Sequence, residues 1–236
     1  TNPGEDTLPT PHAKPGETGA DALCVTLLAN DIDMWFANPG TSEMHFVAAR
    51  DRKQQMRCVL GLFEGVVTGA ADGYARMAGK PAATLLHTGP GLANALANMH
   101  NARRANTPMV NVVGDHASYH LPSDAPLTSD IDSLARPMSG HVRRIGSAAD
   151  VSSATAESIA AARRTPGCVS TLILPADHAW EAAPQLPPIK ADLRAPTKAE
   201  PERVVSAGKA LKTGKKTIIL VSGTAVRAEA MKTHLL

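Results

Sequence analysis

The chain has 236 residues, 43% of them hydrophobic but only 3% aromatic, and a formal net charge of +2. That length exceeds one ordinary domain of about 100–150 residues, so one complete domain and part of another are expected. The near-neutral charge and the scarcity of aromatic platforms argue against a binder of nucleic-acid backbone or single strands, and no run approaches the ~18 apolar residues of a membrane span.

Residues 1–16 are polar and crowded with proline, and read as a flexible arm. Ala20, Leu23, Cys24, Leu27 and Leu28 recur at helical spacing and predict an amphipathic helix over 20–30. Residues 32–37 predict a strand that stops at Asn38-Pro39-Gly40, because proline cannot continue a central ladder and glycine permits an unusual turn. Thr41-Ser42-Glu43 is placed to cap a helix running through Arg50.

The apolar run from Cys58 predicts a second, buried strand over 57–60, followed by a helix so rich in Gly and Ala that something must press closely on its backbone. Glu64 stands at that junction and has two readings. It is an acid in favourable electrostatic contact with a helix N-terminus, worth a few tenths to ~1 kcal/mol, or a carboxylate held where a strand ends, the place where open α/β sheets put their ligands.

Residues 81–86 predict a third strand that ends at His87-Thr88-Gly89-Pro90-Gly91. The helix after it, over 92–103, carries Ala93, Asn94, Ala97 and Asn98 on one face. A fourth strand is predicted over 107–114. Residues 117–138 are irregular, and longer than most connections inside a domain, which points to a functional loop or crossover. A short strand over 141–145, a helix over 148–164 and a strand over 168–174 complete the series. The alternation predicts an α/β fold, a parallel sheet with helices on both faces.

This first domain is expected to occupy residues 17–180, and residues 181–200, with prolines at 184, 187, 188 and 196, have a linker's composition. Residues 201–236 predict a helix over 202–212, a buried strand over 216–221, a turn at Ser222-Gly223-Thr224 and a helix from Ala225. One such unit cannot cover a sheet on both faces, so an incomplete second α/β domain is expected, as in a fragment or a split protein.

Cys24, Cys58 and Cys168 show neither a CxxC pair nor metal-ligand spacing and are expected to be buried thiols in a reducing compartment. No basic-then-apolar signal peptide stands at the N-terminus, so a soluble, cytoplasmic protein is expected. His45, His100, His116, His120, His141 and His178 lack metal spacing and read as surface or loop residues, and no metal ligand is assigned.

The phrases Phe36-Ala-Asn-Pro-Gly-Thr-Ser-Glu43, Glu64 with Gly-Tyr-Ala-Arg-x-x-Gly-Lys-Pro at 73–81, Thr88-Gly-Pro-Gly-x-x-Asn94 and Thr107-Pro-Met-Val110 follow one another in order. Together they resemble the thiamine diphosphate-dependent family of acetolactate synthases, pyruvate oxidases and benzoylformate decarboxylases. The resemblance covers the pyrimidine-binding domain and the start of the family's central domain. It implies thiamine diphosphate and Mg2+ as cofactors.

In that family the glutamate matching Glu64 hydrogen-bonds the cofactor's aminopyrimidine ring and so activates the thiazolium carbon for loss of its proton, a task suited to a carboxyl held in an apolar cleft. The resemblance further implies cofactor contacts from Pro39, Gly40, Thr88, Gly89, Pro90, Gly91 and Asn94. It places Thr41, with Ser42 beside it, where the decarboxylase has a substrate-contacting serine. His87 matches a histidine that serves proton transfer in benzoylformate decarboxylase, and imidazole gives and takes protons near neutral pH. Asn94 also has a plain reading as a helix-packing residue with its amide satisfied locally.

Two departures stand out. Many acetolactate synthases follow the cofactor glutamate with Gln-Gly or Gln-Ala, where this chain has Gly65-Val66. The Gly-Asp-Gly motif that holds the diphosphate and its magnesium has no match, since Gly114-Asp115-His116 lacks the second glycine, so the Mg2+ ligands are expected outside this segment. The implied function is a 2-oxo acid decarboxylase or carboligase, with this chain supplying the aminopyrimidine-activating half of the site. The implied partners are a 2-oxo acid substrate and a second subunit, in a homodimer or homotetramer or as a chain carrying the diphosphate-binding domain. The alternative is a non-catalytic truncated homologue acting as a binding or assembly module.

Overall fold

The first helix, α1 (Gly19–Ala29), is fixed at its start by Thr18 and Asp21. The Thr18 hydroxyl accepts the Asp21 N–H at 3.2 Å while the Asp21 carboxylate accepts the Thr18 N–H at 3.3 Å, the reciprocal arrangement that satisfies two otherwise stranded donors. Arg52 then grips the same carboxylate through Nε at 3.1 Å and a terminal nitrogen at 2.8 Å. Thus one aspartate ties α1 to the end of α2 (Met44–Asp51).

The computed structural model describes residues 18–184, 188–195, 197–226 and 232, in two compact units that divide between Arg194 and Ala195. In the first unit, strands β1 (Met34–Asn38), β2 (Arg57–Leu60), β3 (Ala82–Leu86), β4 (Met109–Asp115), β5 (His141–Arg144) and β6 (Val169–Pro175) form a six-stranded sheet in the order β2-β1-β3-β4-β6-β5. Every pairing is parallel.

Steps toward β5 use α3 (Glu64–Ala78), α4 (Thr88–Arg104) and α5 (Ile131–Ala135). Steps the other way use α2 and α6 (Val151–Arg163). Right-handed crossovers require opposite steps to place their helices on opposite faces. Two cores result. Leu23, Leu27, Trp35, Phe46, Val112, Ile159 and Leu172 fill one face under α1, α2 and α6. Val67, Leu86, Leu92, Met99, Val113, Ile131 and Ile173 fill the other under α3, α4 and α5. The inner strands β3, β4 and β6 are buried along their whole length, so they show no alternation of buried and exposed positions, and even their polar Thr84, Asn111, Ser170 and Thr171 are covered, with Thr84 donating to the Asn111 side chain at 2.8 Å.

The topology also decides where a site can form. From β1 the chain leaves toward β2, whereas the β2–β3 and β3–β4 connections step in the opposite sense, so the loops after β1 and β3 part to opposite faces of the sheet. A crevice opens at such a point, at the carboxyl ends of the strands.

Several expectations are corrected. Strand β2 is present but exposed throughout, because it is the edge strand and pairs only with β1. For the same reason Cys58 is exposed, and Cys168 is half-buried, leaving Cys24 as the buried thiol. Thr41-Ser42-Glu43 forms a 3-10 turn ahead of α2 without a side-chain cap from Thr41. Instead the Glu43 carboxylate reaches back to the Gly40 N–H at 2.8 Å. Of the histidines read as surface or loop residues, His100 is an exposed surface residue on α4, as expected, whereas His45, His141 and His178 are half-buried on α2, β5 and α7 (Ala176–Trp180).

The irregular stretch 117–138 contains α5, whose Ile131 and Ala135 are buried. Within the segment of linker composition, Ile189 and Ala191 hydrogen-bond through their backbones to the Asn30 amide at 2.8 Å each, fastening that stretch to the end of α1.

The second unit contains α8 (Pro201–Leu211), as expected, but residues 216–221 form no strand and are exposed. A parallel strand needs neighbours on its edges, and no described segment of the chain offers one. The arm at 1–16 and most of the helix expected from Ala225 lie outside the described residues.

Candidate active site

Glu64 is the first residue of α3, where the chain turns from the end of β2 into the helix. It is 6% exposed, and its carboxylate makes no cap on its own helix. It crosses instead to α4, where Oε2 accepts the Asn94 amide at 3.0 Å. Gly91 stands opposite the other oxygen, where a Cβ would lie 2.8 Å from Oε1, so a side chain there would push the carboxylate aside. The pressing backbone expected for the Gly-rich helix is α4: Thr68 donates to the Ala95 carbonyl at 3.2 Å, and Asn98 to the Gly65 carbonyl at 2.6 Å.

A second carboxylate lies across the crevice. Glu43, fully buried after β1, places Oε2 2.7 Å from His87 Nδ1 at the end of β3. The N–H groups of Gly40 and Thr88 also point at it, so three donors from two diverging loops converge on one carboxyl. Oε1 has no hydrogen-bond partner among the described residues and lies against Gly114 of β4, where any Cβ would collide with it.

Burial pushes the Glu43 pKa up from its ordinary value, against the opposing pull of the Gly40 N–H and the His87 ring. With Glu43 ionised, His87 donates from Nδ1 and leaves Nε2 as an acceptor. With Glu43 protonated, the carboxyl donates to Nδ1 and Nε2 carries the ring hydrogen. The pair can therefore carry one proton or two and keep the hydrogen bond between them in both states.

The expected residues are brought together unevenly. Gly40 packs directly against the His87 ring, and His87 Cβ would lie 3.4 Å from a Cβ on Gly91, so Gly40, His87, Gly91, Glu64 and Asn94 form one continuous surface with Glu43. Thr88 begins α4 in the left-handed region at φ 50°, buried, with its hydroxyl lacking a partner among the described residues. Gly89 faces Ser129 rather than Glu64, and Pro90 is exposed. Pro39 and Ser42 are half-buried and Thr41 is exposed. The sequence reading assigns Glu43 no role beyond capping. The one available signal is an acid five residues past a strand end in the Asn-Pro-Gly-Thr-Ser-Glu phrase.

A parallel sheet whose switch point carries two buried carboxylates and a histidine defines a class of cleft proteins, and the family follows. Residues 17–136, just over half the chain, match the model of the thiamine pyrophosphate enzyme N-terminal TPP binding domain, and the chain belongs to that family.

Among its relatives is a Mycobacterium tuberculosis protein that carries the provisional name acetolactate synthase large subunit IlvX. It is 54% identical over 213 residues, which is 90% of this chain and 41% of the relative. A benzoylformate decarboxylase of Pseudomonas aeruginosa is 32% identical over 150 residues, 63% of this chain and 28% of the relative. A solved Mycobacterium smegmatis structure, provisionally described as a thiamin diphosphate-dependent enzyme, superposes with a TM-score of 0.76 at 27% identity, covering 84% of this chain and 38% of the other. The chain spans about two fifths of the length of the first of these relatives.

Proposed function

We propose that this chain supplies the aminopyrimidine-activating half of a thiamine diphosphate-dependent site that decarboxylates a 2-oxo acid or joins the product to a second carbonyl. The observation that carries the reading is the Glu64 carboxylate, buried at the carboxyl end of the sheet, bound by an amide and facing a glycine. The cofactor fits these residues: Gly91 leaves room beside Oε1, and the unpartnered Thr88 hydroxyl and Glu43 Oε1 are polar groups in want of a ligand or water.

When bound, thiamine diphosphate supplies the electron sink for the bond that breaks as CO2 leaves. Glu64 would hold or release a proton at its carboxylate beside the bound group, and Asn94 would keep that carboxylate in place. Pro39, Gly40, Thr88, Gly89, Pro90 and Gly91 form the rest of the cofactor surface, and Thr41 and Ser42 face the substrate. Glu43 orients His87, and His87 delivers or takes the substrate's proton. Residues 17–180 form the pyrimidine-binding domain, 181–200 link it to the start of a further domain, and the Mg2+ and diphosphate are held by residues outside this segment.

A proton donor at His87 favours decarboxylation, because protonating the decarboxylated product competes with its capture by a second carbonyl. The likeness to a benzoylformate decarboxylase supports that choice. In the full-length protein loaded with thiamine diphosphate and Mg2+, His87→Ala should slow CO2 release from a 2-oxo acid by ~10²–10⁴-fold and leave cofactor affinity nearly unchanged. An unaltered rate would remove His87 from the mechanism. Failure of the unaltered protein to release CO2 from any of a panel of aliphatic and aromatic 2-oxo acids would sink the reading as a whole.

A further inference from the structure

Just past β6, Asp177, His178 and Glu181 bring two carboxylate oxygens and an imidazole nitrogen within 4.8 Å of one another. His178 Nδ1 lies 3.8 Å from Asp177 Oδ1 and 3.6 Å from Glu181 Oε2, both too long for a hydrogen bond. Asp177 is 4% exposed, and its Oδ1 and His178 Nδ1 are both buried without a hydrogen-bond partner among the described residues. The carboxylate cannot turn to relieve Oδ1 without giving up its other contact, because Oδ2 already accepts the Ser118 hydroxyl. Two buried polar atoms aimed at one another across a gap of that size need something between them.

We propose that Asp177, His178 and Glu181 bind a divalent transition-metal ion of the Zn2+ class. An imidazole with two carboxylates suits Zn2+, Co2+ or Mn2+. Ca2+ and Mg2+ take oxygen ligands alone, and Cu+ prefers sulfur. Zinc bonds of about 2.0–2.1 Å set donors roughly 3.3–3.4 Å apart in a tetrahedron. The two separations from His178 exceed this by a few tenths of an ångström; the half-exposed Glu181 side chain can close its own, and a small turn of the His178 ring toward the ion closes the one to Asp177. Its exposure also leaves the remaining position of the ion open to water.

The Glu181 carbonyl accepts the Gly19 N–H at 3.1 Å, and Ala182 bridges to Thr18. The ion would therefore fasten together α7, the start of α1 and, through Ser118, the loop after β4.

The test is calorimetric titration of the metal-stripped protein with ZnCl2, repeated with Co2+ and read by visible ligand-field absorption. The expected result is saturable binding at one site, with release of protons as donors lose theirs. Glu181→Gln and His178→Gln should each weaken affinity by ~10-fold or more, and Zn2+ should raise the unfolding temperature of the unaltered protein but not of Glu181→Gln. Because Glu181 is half-exposed, its variant should fold, which circular dichroism would verify. Absence of saturable binding would mean that an ordered water fills the gap. Equal affinity in both variants would place the ion elsewhere. Either result overturns the proposal.

Discussion

Glu43 shows how much of this cleft depends on one side chain. Its carboxyl is fully buried, and burial raises its pKa in the fold above the ordinary value of 4.5. A raised carboxyl pKa means that the group's contribution to stability is complete below the unfolded value and is lost as pH rises through the folded one. Glu43→Gln removes that pH-dependent loss while keeping a neutral group of the same shape. The unfolding temperature of the variant should therefore rise relative to that of the unaltered protein as pH increases above the ordinary carboxyl range, while turnover falls because His87 loses its proton partner. Thermal unfolding at increasing pH checks it, and an offset that does not change with pH would contradict it. The sequence could not have shown this pair. Glu43 and His87 are 44 residues apart and meet only because β1 and β3 are neighbours in the sheet. Glu64 was legible because strand end and helix start adjoin in the sequence, while its bond to Asn94 depends on how α3 and α4 pack.

At the scale of elements, the helices and inner strands were the readable part. Helix α1 was plain from Ala20, Leu23, Cys24 and Leu27, all of which are fully buried, and β3, β4 and β6 from short, mostly apolar runs between helical segments. Those runs mislead where an apolar strand sits at an edge: β2 looks the same in sequence as a covered strand, yet Leu60 is 65% exposed. Residues 216–221 mislead likewise, since periodicity reports what a segment would bury and not whether a partner strand is present. Helix α1 also carries the best-defined stability prediction. Asp21 is buried and caps the helix while holding Arg52, so Asp21→Ala removes a cap and leaves a guanidinium without its carboxylate. A loss of about 2–4 kcal/mol is expected in urea unfolding. A loss below ~0.5 kcal/mol, the range of ordinary surface changes, would mean that the capping box does not anchor α1.

For the whole molecule, the exposed apolar side chains are not scattered. Val59, Leu60, Leu62, Phe63 and Val66 follow one another from the edge strand into the Glu64 helix, all exposed, with Leu62 at 90%. Such a patch marks an interaction surface, and it adjoins the residue proposed to activate the cofactor. The expected occupant is a second subunit carrying the diphosphate-binding half of the site. Leu62→Asp in the full-length protein should shift sedimentation toward monomer, leave circular dichroism unchanged and lower cofactor affinity. An undisturbed oligomer with full affinity would move the interface elsewhere. The central claim, that Glu64 activates the cofactor, is tested most directly by hydrogen–deuterium exchange at the thiazolium carbon of bound thiamine diphosphate in the complete assembly. Glu64→Gln keeps the shape and the Asn94 neighbour but cannot exchange a proton with the ring, so exchange should slow by ~10²–10⁴-fold. Exchange as fast as in the unaltered protein would leave Glu64 as only an acid at a helix terminus and contradict the account.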